Sequence, residues 1–598
     1  RVTGGSAGVV AQNAHDSVSY LQEEVTGGDY IALVRNNVIT VSGNTKVYGR
    51  VAGGESLVGA SDKSGPAIVI ANKVFVDSGY IEGDIYGGLA VKANVCDNVI
   101  NLNGGRIKGA VYGGFSVSGA IVSGNTVNLN GAAGIDLTQA WLFGRRRVTN
   151  GTNGNTLNIV NYQGEMQNMG NFDRIDLNLA GLKVSVNNPI ILLTEKLPTN
   201  LDNSTIHIHS NNLGTALTND PSLADRIEII RNQSVGLTAY NVKFEKDKII
   251  VTQDRGSLAA IYSVEWDGSI DKAGDSIDLV KLEVFQRPEA GSYIANLDSW
   301  AKMHMRLHDR FGQAYYIDPF DGLEKPASGW VRQVGSHSHF GTGLTSKTHS
   351  KTAVTQIGAD LFRNEINEDW KYTGGVFAGG LYNRANTRSL SSSKSRSDGY
   401  SLGIYGTVYT GNSPDDGFYV DSWLLFGRYD NKIWGDTTSS FKYKSHGWVW
   451  SVESGYTVPL GESGEKDSNK VIWTFQPEAQ FVWDGTKANH IKDAIGTIYS
   501  QLGSDNVSIR LGARIHANHM NKGLGFIEGN WIHNTKKAGV RMGNSKTYIN
   551  GGRDLGEFRM GLEGHLSRNT LGWATVGVQA GKHSYHNETA QIGVRYMF

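Results

Sequence analysis

VSIRLGARIHAN, residues 507–518, decides how the second half of this chain folds. Every other side chain is aliphatic (Val507, Ile509, Leu511, Ala513, Ile515, Ala517), and the set between is polar or lacks a side chain (Ser508, Arg510, Gly512, Arg514, His516, Asn518). A period of two belongs to a strand, which sends successive side chains to opposite faces. The length suits a slanted crossing of a bilayer. The split recurs at 471–483, where Val471, Trp473, Phe475, Ala479, Phe481 and Trp483 oppose Thr474, Gln476, Glu478 and Gln480. It recurs again at 558–566, with Phe558, Met560, Leu562 and Leu566 against Arg559, Glu563 and His565. The pattern places apolar side chains toward lipid and polar ones toward a lumen.

Working outward, twelve strands begin near Trp330, Thr352, Trp370, Gly399, Gly417, Gly447, Lys470, Asn506, Leu524, Gly556, Leu571 and Glu588. Long or polar connections at 385–397, 430–445, 485–505 and 535–553 alternate with short ones at 363–368, 411–415, 521–523 and 567–569. That asymmetry belongs to outer-membrane barrels, whose periplasmic turns are short and external loops long. The chain has no apolar run of the roughly 18 residues a membrane helix needs, so membrane insertion requires closed strands. Trp330, Tyr382, Trp434, Trp448, Trp450, Trp473, Trp483, Trp531 and Trp573 sit near strand ends, as girdles at the two interfaces would. The last strand, QIGVRYMF at 591–598, ends on Phe598.

Ahead of the barrel, residues 293–311 (YIANLDSWAKMHMRLHDRF) lack Gly and Pro and space Ile294, Leu297, Ala301, Met305 and His308 as a helix would. One helix is expected, its Lys302, Arg306 and Arg310 suited to an acidic lumen, followed by a loop at 318–328. His304 and His308 would share a helix face as in H-E-x-x-H, but Met305 replaces the required Glu. His337 and His339 share a strand face, expected in the lumen. No metal site, cofactor or catalytic residue is assigned.

The first half repeats itself. Asn, x, aliphatic, x, aliphatic, x, Gly occurs at 37–43, 98–104 and 125–131, with looser copies from Asn72 and Asn155. Between these fall Val47-Tyr48-Gly49, Ile85-Tyr86-Gly87-Gly88 and Val111-Tyr112-Gly113-Gly114. Units this small cannot bury their own apolar face, so copies must stack, and two or three short strands per repeat imply a right-handed parallel β-helix. Its inward residues would be Ile39, Val41, Val74, Val76, Ile100, Leu102, Val127, Leu129, Leu157 and Ile159. The repeating Asn can stack amides between rungs or occupy a left-handed turn; the turn role is the expectation. From 181 to 248 the pattern loosens, and strand pairs resume at 249–252, 260–266 and 276–285, as an end-cap over the last rung would.

Composition agrees. Gly numbers 76 and Pro 10, which suits short strands and tight turns. Net charge is zero and the triplet Arg145, Arg146, Arg147 is too short to imply nucleic-acid binding. The lone Cys96 excludes an internal disulfide. Beginning at Arg1 without Met or an apolar leader, the chain is expected to have lost a secretion signal or to continue upstream. No carboxylate pair recurs on the repeats as a polysaccharide-cleaving β-helix would need. Gly274-Asp275-Ser276-Ile277 looks like a serine-esterase block, but it falls in the cap.

Taken together, the chain resembles a classical (type Va) autotransporter of the pertactin-like or AIDA-like adhesin group. The resemblance rests on IYGG and VYGG at 85–88 and 111–114, GSYIANLDSWAKMHMRLHD at 291–309, Gly329-Trp330-Val331-Arg332, and the terminal strand. It implies an all-β chain with a passenger β-helix at 1–255, an autochaperone or cap region at 256–290, and a linker with a lumenal helix at 291–328. A twelve-stranded antiparallel outer-membrane barrel would occupy 329–598. It implies that Gln591, Gly593, Tyr596 and Phe598 are read by the outer-membrane assembly machinery, and that Asn296, Lys302, Arg306 and Arg310 line the helix in the lumen. Partners would be outer-membrane lipid, that machinery, periplasmic chaperones and a ligand on a host or neighbouring cell; nucleic acid is not among them, and the barrel would be monomeric. Some members cut themselves at an Asn pair in the helix; here Asn296 precedes Leu297. The function implied is export and anchoring of a non-enzymatic adhesive or aggregating passenger; the alternative is a stalk and exporter for an enzymatic head upstream of Arg1.

Overall fold

The protein is described from a computed structural model. It covers the chain apart from residues 1, 4–5, 8–32, 57–67, 118–119, 146–153, 180–181, 185–187, 210–214, 218–222, 246–247, 254, 270–273, 312–327, 344, 412–413, 415, 465–469, 520–522, 568 and 598. Arg146, Arg147, Phe598 and most of the expected 318–328 loop therefore lie outside the described residues. Two compact units emerge, one of residues 1–254 with 259–284, the other of 255–258 with 285–598.

In the first unit the repeats stack in register as a parallel β-helix. One coil runs Ile68–Ile70, Lys73–Val76, Tyr80–Ile81 and Ile85–Ala90, and the next runs Asn94–Cys96, Val99–Leu102, Arg106–Ile107 and Ala110–Ser116. Each strand pairs in parallel with its counterpart one coil away. All ten expected inward aliphatics are buried in one core.

The repeating Asn does not take the turn. Asn37, Asn72, Asn98, Asn125 and Asn155 form a buried ladder, each amide Nδ2 donating to the next Oδ1 at 2.7, 2.9, 2.9 and 3.0 Å. The left-handed position belongs to the residue before it: Asn36, Ala71, Asp97, Gly124 and Gly154 all have φ between 54° and 74°. An amide both donates and accepts, so identical side chains one rung apart satisfy each other. The neighbouring coil and the ladder together explain the paired glycines. A Cβ on Gly87 would lie 2.3 Å from the Gly113 carbonyl oxygen, and one on Gly88 would lie 2.7 Å from the Asn98 amide nitrogen.

Coils continue where the sequence pattern loosens. Arg174–Asn178, Thr205–His209 and Lys243–Glu245 extend the same parallel sheet. Residues 181–248 therefore still contribute coils to the β-helix. Antiparallel pairing begins where Ile249–Gln253 meets Leu258–Trp266, and Ser276–Gln286 pairs with Arg226–Asn232.

The second unit is a closed antiparallel barrel of twelve strands: β1 (Ser328–Thr342), β2 (Ser346–Glu365), β3 (Trp370–Arg388), β4 (Ser392–Thr410), β5 (Phe418–Gly435), β6 (Thr438–Tyr456), β7 (Val471–Asp484), β8 (Asn506–His519), β9 (Gly523–Asn534), β10 (Asp554–Ser567), β11 (Thr570–Gly581) and β12 (His586–Met597). Pairing of β12 with both β11 and β1 closes the wall. In β8, Arg510, Arg514 and His516 are buried while Leu511 and Ile515 are exposed, and in β12 the exposed Ile592, Val594 and Tyr596 alternate with buried Gln591, Gly593 and Arg595.

Three expectations change. Residues 385–397 and 430–445 are not long loops but extensions of hairpins, β3 pairing with β4 out to Arg388–Ser392 and β5 with β6 out to Gly435–Thr438. Beyond the apolar belt both faces are polar: Ser393, Ser395 and Ser397 point inward and Lys394 and Arg396 outward, so the alternation vanishes while the strand persists. Trp330 and Trp573 are not girdle residues. They point inward, their rings over Gly358 and Gly593, whereas Trp448, Trp450, Trp473 and Trp531 are exposed on the wall. His337 and His339 lie on the outer face, since the buried positions of β1 are the even-numbered ones. The segments at 485–505 and 535–553 do leave the wall, where Ile491–Lys492, Ile498–Leu502, Gly539–Met542 and Ser545–Tyr548 form a small sheet.

Candidate functional site

The lumen is filled by the chain's own segment from Arg287 to Arg310. The expected single helix over 293–311 is two: α1 (Glu289–Trp300), continued by a 3-10 turn at Ala301–Met303, and a short α2 (His308–Phe311). His304, extended at φ −63° and ψ 149°, breaks the helix, so His304 and His308 do not share a helix face. Helix termini leave carbonyls without partners, and the wall supplies them. Gln356 donates to the Met303 carbonyl at 3.0 Å and Arg332 to that of His304 at 3.0 Å. Trp423 and Gln480 donate to that of Met305 at 3.0 and 2.8 Å. A residue pattern cannot reveal this break, because its cause lies on four distant strands, β1, β2, β5 and β7.

The expected lumenal residues fall as follows. Asn296 is buried and donates to the Tyr443 hydroxyl at 3.1 Å. Lys302 pairs with Asp298 of its own helix at 3.4 Å rather than with the wall. Arg306 reaches Glu528 and Glu557. Arg310 grips Asp421 through both terminal nitrogens and donates to Thr407 at 3.0 Å. Gln591 of β12 donates to the Asp309 carbonyl at 3.1 Å, and Gly593 packs under Trp573. Tyr596 is half-exposed on the outer wall.

Around these lies a charge network whose inward parity was legible but whose pairing was not. Arg510 bonds Glu478 at 2.7 Å and faces Glu453 at 3.3 Å; Arg514 bonds Glu528 at 2.7 Å; Arg559 bonds Asp309 at 2.6 Å; and Arg332 faces Asp309 at 3.3 Å. Buried charges are tolerated only when paired, and deleting one partner of such a pair costs on the order of 3–5 kcal/mol. At the other end of the segment, Arg287 is fully buried and donates to Thr437 (3.0 Å), Thr497 (2.8 Å), Asp493 (2.8 Å) and Tyr499 (3.2 Å). Thr437 in turn donates to Glu289 at 2.7 Å. Thr437 sits in the β5–β6 hairpin and Asp493 in the 485–505 loop, whereas Arg310 and Gln591 lie toward the end bearing the β1 and β12 termini. The segment thus threads the barrel from loop end to terminus end, clamped at both.

A closed barrel with an apolar outer belt, plugged by the segment that precedes it and carried on the same chain as a β-helix, is the architecture of a single-chain secretion protein of the outer membrane. Residues 329–577 match the autotransporter beta-domain family. The chain is 36% identical over 324 residues to the uncharacterised protein YdeU of Escherichia coli K12, covering 52% of this chain and 69% of that protein. It is 36% identical over 325 residues to the uncharacterised protein YuaQ of the same strain, covering 24% of it, and 26% identical over 431 residues to the autotransporter adhesin AIDA-I of Escherichia coli, covering 64% of this chain and 33% of that one. The chain thus spans about a quarter of YuaQ and a third of AIDA-I. Its structure is similar to the AIDA-I transport unit, with a TM-score of 0.48 and 26% identity, over 52% of this chain and all of that one. The chain belongs to the autotransporter family. Its barrel is the translocator, in the outer membrane of a Gram-negative bacterium, and its β-helix belongs to the passenger.

Proposed function

We propose that the passenger acts on the cell surface as an adhesin or an aggregation factor. The observation that carries this is the passenger's construction. Its coils repeat Asn, Gly, Ser and aliphatic residues in register, giving a part-exposed stack of Tyr86 on Tyr112, with buried Phe143 beneath its end, and a part-exposed row of Asn101, Asn128 and Asn158. Repetitive surfaces of this kind suit multivalent contact with a repetitive partner, in which many weak contacts combine into avidity. Similarity to a protein named as an autotransporter adhesin supports the same reading.

In this account the 256–290 region nucleates passenger folding at the surface, each added coil stabilises its neighbour, and return through the barrel becomes unfavourable. Gln591, Gly593, Tyr596 and Phe598 present the last strand to the assembly machinery, with periplasmic chaperones holding the chain before insertion. Expression in a non-aggregating Gram-negative host tests the proposal. Cells displaying the whole chain should settle or bind epithelial monolayers, and cells displaying residues 285–598 alone should not. Equal behaviour of the two, with surface display verified, would sink the adhesive reading.

A further inference from the structure

We propose that the outer wall carries a site for one divalent transition-metal ion of the zinc class, formed by His337 and His339 on β1 and His349 on β2. A His-x-His pair on a strand puts both imidazoles on one face. Antiparallel register sets His339 directly opposite His349 on β2 and His586 on β12, and His337 opposite Glu588. The cluster thus straddles the seam where the last strand closes on the first.

The spacing fits a metal. His339 Nε2 lies 3.3 Å from His337 Nδ1, and ligand atoms of His337, His339 and His349 all lie within 4.8 Å of one another. Zinc–nitrogen bonds of ~2.0–2.1 Å in a tetrahedron put adjacent ligands about 3.3–3.4 Å apart. One pair already has that separation, and rotation of the exposed His349 brings in the third. Glu588, with a carboxylate oxygen 3.9 Å from His337 Nδ1, stands where a fourth ligand is needed.

The surroundings favour this class of ion. Along β12 the outward residues run Tyr596, Val594, Ile592, Ala590, then Glu588 and His586, so the cluster stands on the loop side of the apolar belt, in water. Lys347 and Lys351 flank His349 on the same face. They disfavour hard cations such as Mg²⁺ and Ca²⁺, which depend on anionic oxygen, and leave ions held by neutral imidazole nitrogen, namely Zn²⁺, Ni²⁺ and Cu²⁺. A second group, Asp176, His207 and His209 on the β-helix, is a poorer candidate because Arg174 already occupies its carboxylate at 2.7 Å and approaches His207 at 3.1 Å.

The test is calorimetric titration of ZnCl₂, and separately MgCl₂, into the untagged full chain in detergent micelles, with His339→Ala, His349→Ala, Lys351→Ala and His207→Ala variants. Heat-modifiable gel migration checks that each barrel is assembled. The expected result is one zinc per chain and no magnesium signal. His339→Ala and His349→Ala should each weaken binding at least about tenfold, Lys351→Ala should tighten it, and His207→Ala should leave it unchanged. Absence of stoichiometric zinc binding by the assembled protein would overturn the proposal. So would binding that survives His339→Ala and is lost in His207→Ala.

Discussion

Replacing Asn98 by alanine isolates what the amide ladder contributes. The Asn98 side chain accepts from the Asn72 backbone N–H at 3.0 Å and from the Asn72 amide at 2.9 Å, and donates to the Val69 carbonyl at 3.2 Å and to Asn125 Oδ1 at 2.9 Å. Asn125 Oδ1 keeps a second donor, the Asn98 backbone N–H at 3.0 Å. Truncation therefore strips a partner from the buried Asn72 N–H and Val69 carbonyl, and one of two from the Asn72 amide, which keeps the Val34 carbonyl at 3.2 Å. Each orphaned buried group costs about 1–3 kcal/mol, and partial relaxation brings the sum to about 3–6 kcal/mol. Asn101→Ala is the control. It removes one bond, to Asn128, on a part-exposed row where water substitutes, and should cost under about 1 kcal/mol. Amide hydrogen exchange on the full chain in detergent reads the difference locally. Protection across 68–129 should fall by about two to four orders of magnitude for Asn98→Ala, at roughly 1.4 kcal/mol per decade, while the barrel is untouched. Indistinguishable protection in the two variants would refute the ladder argument. Stability in stacked coils is a nearest-neighbour sum, so the loss should also reduce surface display of the passenger.

Three further outcomes follow from the same structure. Arg306→Ala combined with Arg310→Ala leaves Glu528, Glu557 and Asp421 short of a buried partner; the threaded segment should loosen, and planar-bilayer recordings should show more open current than the unmodified chain, unchanged conductance counting against the clamp. Gly593→Ala would place a Cβ 2.1 Å from the Trp573 ring, a clash worth about 1–3 kcal/mol, so the heat-modifiable folded form should melt at lower temperature; an unaltered melt means the ring has room. Burial pushes the Asp176 carboxyl up, but hydrogen bonding and charge from Arg174, with contacts from His209 and His207, outweigh it and hold the group below its ordinary value. Its contribution is therefore present above the unfolded value near ~3.9 and lost as pH falls through the folded one, so Asp176→Asn should flatten the acid dependence of the passenger's urea midpoint below about pH 4; an identical slope would contradict this.

How much of this the residues disclosed depended on whether one side chain or two had to be known. The parity of Val507 to Asn518 placed Arg510 and Arg514 in the lumen because a strand's period needs no tertiary information. The ten inward aliphatics of the β-helix were legible for the same reason. The Asn ladder was not, since a lone Asn is equally good in a left-handed turn, and only the register between coils shows that Ala71 and Asp97 take that turn while Asn72 and Asn98 bond each other. The polar hairpins at 385–397 and 430–445 read as loops because strands leaving the lipid lose the apolar face that marks them. Trp330 and Trp573 read as girdle residues because sequence gives their position along a strand but not the glycines, Gly358 and Gly593, that receive their rings inside. The clamp around Arg287 joins residues some 150 to 210 positions apart, beyond any local signal.

The partition of the barrel wall between lipid and lumen is tested most directly by depth-resolved quenching. In a Cys96→Ser background, single cysteines at Ile592, Leu402 and Lys442 would carry a fluorophore in reconstituted bilayers containing brominated lipid. Ile592 and Leu402, each 62% exposed on the outer wall, should be quenched by lipid and shielded from aqueous iodide, and Lys442, on the part of β6 beyond the belt, should show the reverse. Iodide reaching all three alike would mean that water, not hydrocarbon, surrounds the wall.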